Sequence, residues 1–333
     1  MLKIGLLGVG HLGKIHLKCI RLAKERYELV GFYDADPDNA RRVAAEYHVK
    51  AYESPAALIA DCEVIDIVTP TPTHHAMAKL ALEGGCHVFV EKPLTETLAE
   101  AEELIELSQK NGKVVQVGHV ERFNPALLAL GDLKVKPYFI EAHRLAMFNP
   151  RGVDVSVVLD LMIHDLDIVL KLADAEVAEV RASGVAVVSD TPDIVNARIE
   201  FVGGAVANLT ASRISLKSMR KVRLFQPDAY ISLDLLEKKS EIVRLFEPGA
   251  DIPENGQQFP LDTPKGPRII HVDQPDSGPI NAIQMELESL ADSITEGKPA
   301  AVSIQDGYRA LALAHRISEA VDANQRSLPD PLS

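Results

Sequence analysis

The sequence predicts an α/β protein of two domains, a doubly wound parallel sheet followed by an α+β domain with a large, mostly antiparallel, open-faced sheet. Over roughly the first 120 residues short apolar, β-rich runs alternate with helical patterns, the order of a parallel sheet with crossover helices. Beyond Val120 strand-like runs follow one another, as in an antiparallel sheet. The 333 residues exceed one ordinary core and fall short of three.

The first domain, 1–120, reads as strand Lys3–Leu7, a helix from His11, strand Leu29–Tyr33, a helix near Asn39–Tyr47 and strand Val64–Val68. It continues with a helix at Thr73–Leu82, strand Val88–Val90, a helix at Leu98–Lys110 and strand Val114–Val117. Thr97 and Glu100 form a capping box for the helix at 98, and Asn111-Gly112 ends it. The second domain, 121–303, offers strands Tyr138–Arg144, Val177–Val188, Asn196–Phe201, Ala205–Ala211 and Val222–Phe225, with Val158–Leu172 as a helix on one face. Pro248–Pro279 reads as a long loop or lid. Helix Ala282–Ile294 precedes a last amphipathic helix from Ile304, and 304–333 is expected to pack back on the first domain.

Composition narrows the partners. Hydrophobic residues at 47% and charged residues at 25% are those of a folded globular chain. A formal charge of -13 opposes attraction to nucleic acid or anionic lipid, so neither is expected as a partner. Cys19, Cys62 and Cys86 are an odd number without metal-ligand spacing and read as structural thiols of a reducing compartment; no metal site is expected. The apolar start at Met1–Val9 reads as a buried strand, and Asp160, His164, Asp165 and Asp167 interrupt the richest apolar run, so the expected location is cytoplasmic.

Gly8-Val9-Gly10-His11-Leu12-Gly13 fits the G-x-G-x-x-G fingerprint of a Rossmann domain, placed after the first strand and opening the first helix. Gly8 would allow the tight turn, Gly10 the approach of a pyrophosphate and Gly13 close helix–strand packing, with the N–H groups of the helix start facing the phosphates. A glycine-rich turn without ligand is the plainer alternative. Asp34 ends the second strand about twenty residues on, where an acid accepts hydrogen bonds from ribose hydroxyls and repels a 2'-phosphate. Ala35, Asp36 and Asp38 supply no compensating cation, so NAD is favoured over NADP, with Arg41 and Arg42 as the contrary signal.

Glu91-Lys92-Pro93 places a lysine at the carboxyl edge of the sheet. Together with the fingerprint, Thr69-Pro70-Thr71-Pro72-Thr73-His74, Arg122-Phe123-Asn124-Pro125 and Asp160-Leu161-Met162-Ile163-His164, it resembles the glucose-fructose oxidoreductase and inositol dehydrogenase family, Gfo/Idh/MocA. The match spans nearly the whole chain. The family pattern D-x-G-x-H-x-x-D finds Asp160, His164 and Asp167 in register, with Met162 where glycine is common. The resemblance implies that Lys92 contacts the reacting hydroxyl, that His164 exchanges its proton, and that Thr69, Pro70, Thr71, His74 and Glu91 lie at the cofactor. An ordinary turn with a threonine cap is the alternative for the Thr69 segment.

The chemistry agrees with that implication. Hydride loss from a carbinol requires the O–H proton to leave, and an imidazole is a suitable acceptor. An ammonium stabilises the developing alkoxide, and Asp160, four residues before His164, can orient the ring or hold a neighbouring hydroxyl. Asp165 and Asp167 are given no catalytic role.

Gly118-His119-Val120-Glu121-Arg122-Phe123-Asn124-Pro125 further resembles the nucleotide-sugar 3-dehydrogenase branch, whose members oxidise UDP-N-acetylhexosamine-type sugars. A diphosphate calls for guanidinium groups, and Arg122, Arg144 and Arg151 flank the catalytic helix. A free sugar or inositol dehydrogenase and a non-catalytic NAD-binding regulator remain as alternatives. The family implies a homodimer or homotetramer built through the C-terminal sheet.

Overall fold

A computed structural model describes residues 1–149 and 155–327. The first unit comprises Met1–Phe123 and Asn281–Ala312, and the second Asn124–Ile280 with the chain from Leu313 onward.

Within the first unit the elements run β1 (Leu2–Leu7), α1 (His11–Leu22), β2 (Tyr27–Tyr33), α2 (Pro37–Tyr47), α3 (Pro55–Ile59), β3 (Val64–Ile67), α4 (His74–Glu83), β4 (His87–Glu91), α5 (Leu98–Asn111) and β5 (Val115–Gly118). The five strands lie in the order β2-β1-β3-β4-β5, all parallel. Such strands are buried on both faces and read as unbroken apolar runs, which is why Ile4, Leu6, Val64, Ile65, Val88 and Val90 all have no exposed surface. The chain reverses its direction of progress between β1 and β3, the switch point where open α/β sheets bind ligands beyond their strand ends. The capping box at α5 is present as read, with Thr97 and Glu100 each bonding the other's backbone N–H and Gly112 left-handed at the C-cap.

In the second unit α6 (Pro125–Leu128) and β6 (Phe139–Leu145) precede a π-helical turn at Val158–Met162, which runs into α7 (Ile163–Ala173). Strands β7 (Val177–Val185), β8 (Ile194–Phe201), β9 (Val206–Ser212), β10 (Met219–Gln226), β11 (Ala229–Asp234), β12 (Lys239–Phe246), β13 (Gln257–Thr263) and β14 (Gly266–Asp273) follow. With β6 they form a nine-stranded sheet, β13-β14-β12-β11-β10-β6-β9-β8-β7, antiparallel except between β6 and β9. Burial alternates along β6, β8, β10 and β11, so one face is apolar and the other carries Glu141, Asn196, Arg198, Arg223 and Ser232.

Two expectations are corrected. Pro248–Pro279 is not a long loop: it contains the hairpin β13–β14 at the sheet edge. β13 is exposed along almost its whole length and carries Pro260, so it lacks the alternation by which strands are recognised, and proline is tolerated at an edge. Residues 281–303, read with the second domain, cluster with the first unit instead. Helix α8 (Ala282–Glu296) sets Leu287, Leu290 and Ala291 into one core with Ile20, Ala23, Val64 and Phe89. The last helix, α9 (Ile304–Ser327), is divided: residues to Ala312 cluster with the first unit, and those from Leu313 with the second, where Asn324 and Gln325 donate to the β7 carbonyls of Ala182 and Gly184.

The turn from β7 to β8 closes on Asp193, which is fully buried. Its carboxylate accepts the N–H groups of Val187, Val188 and Ser189 and the Ser189 hydroxyl, the closest of these at 2.6 Å. Burial opposes its charge, but these donors outweigh burial and hold the carboxyl down at about 2. A depressed carboxyl stabilises the fold above its ordinary value of 3.8, and that contribution is lost as pH falls through about 2. Asp193→Ala, which orphans three amides, should cost on the order of 2 kcal/mol in urea unfolding at neutral pH. The variant should also show less loss of stability between pH 3.8 and about 2 than the parent; identical acid sensitivity in the two proteins would contradict this role.

Candidate active site

At the head of the first unit, Gly8 adopts φ +87, and a Cβ there would stand 2.8 Å from the Val68 carbonyl oxygen. A Cβ on Gly13 would lie 2.1 Å from the Gly8 carbonyl oxygen, so glycine alone lets α1 start directly against the turn. Gly10 differs: a Cβ there would meet nothing within 4 Å. That glycine is needed neither for the turn nor for packing, and the space it leaves lies at the helix start. Gly10 is also the N-cap of α1, with no side chain satisfying the first N–H groups and no acid in the first turn. Uncapped donors and open space at a helix N-terminus suit an anionic diphosphate.

A cleft of about 610 Å³ adjoins this turn, lined among others by Gly8, Gly10, His11, Leu12, Asp34 and Thr69. Asp34 accepts the Val9 N–H at 2.8 Å and the Asp36 N–H at 2.9 Å. Asn39, missed in the sequence, donates to Asp34 at 3.1 Å and to the Val9 carbonyl at 3.2 Å. The acid expected at the ribose thus also ties the glycine turn to the end of β2. Arg41 bonds Asp38, and Arg42 bonds Asn39 at 2.6 Å, so both arginines near a 2'-phosphate position are engaged by their neighbours.

Thr69 and Pro70 follow β3 beside that cleft, and Thr71 opens a 3-10 turn, Thr71–Thr73, that leads into α4. The Thr73 hydroxyl lies 2.8 Å from the Thr69 hydroxyl. His74 is buried, and its ring nitrogens each stand 2.9 Å from a carbonyl oxygen, of Thr69 on one side and of Pro93 on the other. It stitches the threonine turn to the segment after β4. Glu91 ends β4, and half-buried Lys92 follows it through a cis bond to Pro93. One Glu91 oxygen accepts the Lys92 N–H at 3.3 Å.

In the second unit Asp160 lies within the π turn and His164 in the first turn of α7, both half-buried. The two sit where the helix changes its period, a kind of irregularity found often at functional positions. Met162, at the place where the family pattern has glycine, is fully buried.

The three arginines expected at a diphosphate fare differently. Arg144 is buried, and its guanidinium forks onto Asp165 at 2.8 and 3.0 Å, binding β6 to α7 rather than offering itself to a ligand. Arg122 lies 3.7 Å from Asp306, the acid that accepts the Ser303 N–H at the start of α9. Arg151 lies outside the described residues.

The oxidoreductase family described as having an NAD-binding Rossmann fold matches residues 2–119, and the GFO/IDH/MocA C-terminal domain matches residues 139–226. This chain belongs to the GFO/IDH/MocA oxidoreductase family. It is 36% identical over 323 residues to a UDP-N-acetylglucosamine 3-dehydrogenase of Acidithiobacillus ferrooxidans, covering 97% of this chain and 98% of that one. A solved structure of the Acidithiobacillus ferrooxidans enzyme superposes with a TM-score of 0.86 at 35% identity, over 97% and 98% of the two chains. A scyllo-inositol 2-dehydrogenase (NAD(+)) of Bacillus subtilis is 31% identical over 234 residues, 64% of this chain and 68% of the relative.

As a GFO/IDH/MocA member the chain is an NAD-dependent dehydrogenase acting on CH–OH groups. The turn separates binding from folding. Gly13→Ala should destabilise the protein by about 2 kcal/mol through overpacking. Gly10→Ala should leave the melting temperature unchanged yet lower NAD affinity at least about tenfold in calorimetric titration, because its methyl enters the pyrophosphate space. NAD binding by Gly10→Ala as tight as the parent's would contradict the assignment.

Proposed function

We propose that this chain oxidises a secondary hydroxyl of a nucleotide sugar, at carbon 3 of a UDP-N-acetylhexosamine-type substrate. The supporting observation is the degree of similarity over the full length: likeness to a UDP-N-acetylglucosamine 3-dehydrogenase reaches 36% identity over 97% of the chain, whereas inositol 2-dehydrogenases that match over 96% and 98% of it do so at 24% and 26% identity.

Bound NAD supplies the two-electron acceptor for the carbinol hydride. The proton is handled by the chain itself. His164 takes it from the hydroxyl as the carbonyl forms, and Asp160, four residues earlier, orients the imidazole or holds the adjacent hydroxyl. Lys92, an ammonium beside the cofactor turn, stabilises negative charge developing on the oxygen. Thr69, Pro70 and Thr71 serve the nicotinamide end of the cofactor site, His74 and Glu91 hold the flanking backbone, and His11 and Leu12 present the first helix turn to the phosphates. Arg122 is the described arginine that remains as a ligand for the substrate diphosphate.

Copies of the chain associate through the polar face of the nine-stranded sheet into a homodimer or homotetramer, and the enzyme works in the cytoplasm. Buried free thiols at Cys19 and Cys86 support a reducing compartment.

With NAD present, UDP-N-acetylglucosamine or a close relative should raise the melting temperature and give NADH, while free inositols do neither. Lys92→Ala and His164→Ala should each reduce kcat on the order of 100-fold or more with NAD affinity retained. Turnover of inositol with no response to any UDP-sugar would replace the nucleotide-sugar reading. NAD binding without turnover of either class would make the chain a cofactor-binding regulator.

A further inference from the structure

Three titratable groups, His16 and Asp66 fully buried and Glu91 half-buried, meet beneath the carboxyl edge of the first unit's sheet, and neither the glycine turn nor the substrate roles account for their pairing. His16, on α1, has no exposed surface, and both of its ring nitrogens face carboxylates. Nδ1 stands 3.0 Å from Oδ2 of Asp66 in β3, and Nε2 stands 3.1 Å from Oε1 of Glu91 at the end of β4. Asp66 is likewise fully buried, between Ile65 and Ile67, and Phe89 meets the imidazole edge-on at 5.6 Å. Bringing such charges out of water is costly, and apolar side chains of similar volume would pack as well. The arrangement therefore points to a purpose other than packing.

Of the three, Glu91 is the one that adjoins the catalytic segment. Its Oε1 faces His16, and its Oε2 accepts the backbone N–H of Lys92. Gly118, at the end of β5, leaves room for the carboxylate: a Cβ there would lie 2.9 Å from Glu91 Cδ and from Oε1. A ring with a carboxylate beside each nitrogen is favoured as the imidazolium: Nδ1 makes the hydrogen bond to Asp66, while Nε2 meets Glu91 at ion-pair distance without an aligned hydrogen bond. Burial by itself favours the neutral ring, but Asp66 and then Glu91 outweigh it and lift His16 well above the ordinary histidine range. Burial pushes Asp66 up as well, against the pull of His16. The remaining titratable neighbours are Cys19 on α1 and Tyr27 on β2, both pushed up by burial and thus neutral.

We propose that His16 is a positioning residue for the dehydrogenase reaction: anchored on Asp66, it clamps the Glu91 carboxylate and so fixes the backbone from which Lys92 works. This rests on the reading of Lys92 as the group that contacts the reacting hydroxyl. Nothing in the clamp touches substrate; it acts through Glu91, and its loss loosens the lysine without removing it.

The test compares His16→Gln, His16→Ala and Lys92→Ala, each with NAD and the turned-over sugar. His16→Gln should bind NAD within about twofold of the parent yet lose kcat at least about tenfold, with KM moving less, since a misplaced catalytic group costs rate more than binding. His16→Ala should lose more. In the parent, nitrogen-15 labelled histidine spectra should show both His16 nitrogens still protonated at a pH above the ordinary histidine range, where a solvent-exposed imidazole is neutral. If the His16 variants do not fold, Gly118→Ala carries the same test, because its methyl displaces the Glu91 carboxylate while His16 and Lys92 stay in place. Folded His16 variants with kcat within about twofold of the parent, or a neutral His16 at about pH 7, would overturn the proposal. Full turnover in Lys92→Ala would instead remove the lysine reading beneath it, whereas an inactive Lys92→Ala beside fully active His16 variants removes the clamp alone.

Discussion

The close approach of Gly13 to the Gly8 carbonyl sets the first unit's function. Because no side chain separates them, α1 begins directly at the end of β1, and its first N–H groups remain uncapped at the sheet's switch point. Asp34 and Asn39 then tie that turn to β2 through the Val9 amide and carbonyl. The result is a set of uncapped backbone donors fixed by the fold itself, the arrangement that suits an anion at a helix start. The strand ends beside it, carrying Thr69 after β3 and Lys92 after β4, inherit their positions from the same parallel register.

Buried charge recurs in both units, each time joining elements that apolar contacts alone would leave free to slide. Arg144 and Asp165 fork β6 to α7, the helix that carries His164. Asp193 gathers three amides of the β7–β8 turn. His16, Asp66 and Glu91 join α1, β3 and β4 next to Lys92. Hydrophobic burial supplies most of the free energy of folding but is indifferent to direction. Paired, hydrogen-bonded charges are directional, and in this chain they fix the strand and helix ends that they join.

Much of this was legible in the sequence, because local rules carried it. The alternation of strand and helix gave the parallel sheet, the glycine spacing gave the tight turn into α1, and Thr97 with Glu100 gave a capped helix. The misreadings fall where structure depends on distant partners. β13 is an exposed edge strand with a proline, so it carries no periodic signal, and the apolar face of α8 does not announce that its partner is α1 rather than the second sheet. The π turn at Val158–Met162 has no composition of its own. Arg144 could have been placed from sequence: it shares a strand face with Ile140 and Ala142, both buried, and a cation on that face needs a buried acid such as Asp165. Asp66 gave a similar signal, as an acid inside the buried run Val64–Ile67.

The central claim is that the cofactor turn and Lys92 act on one sugar hydroxyl. The most direct measurement is a crystal structure of the protein with NAD and UDP-N-acetylglucosamine. The account predicts the pyrophosphate on the N–H groups at the start of α1, the nicotinamide C4 within about 3.5 Å of the sugar carbon, and Lys92 Nζ within about 3.2 Å of that carbon's hydroxyl. A sugar bound with Lys92 turned away, or a dinucleotide held without contact to Gly10 and the helix start, would contradict it.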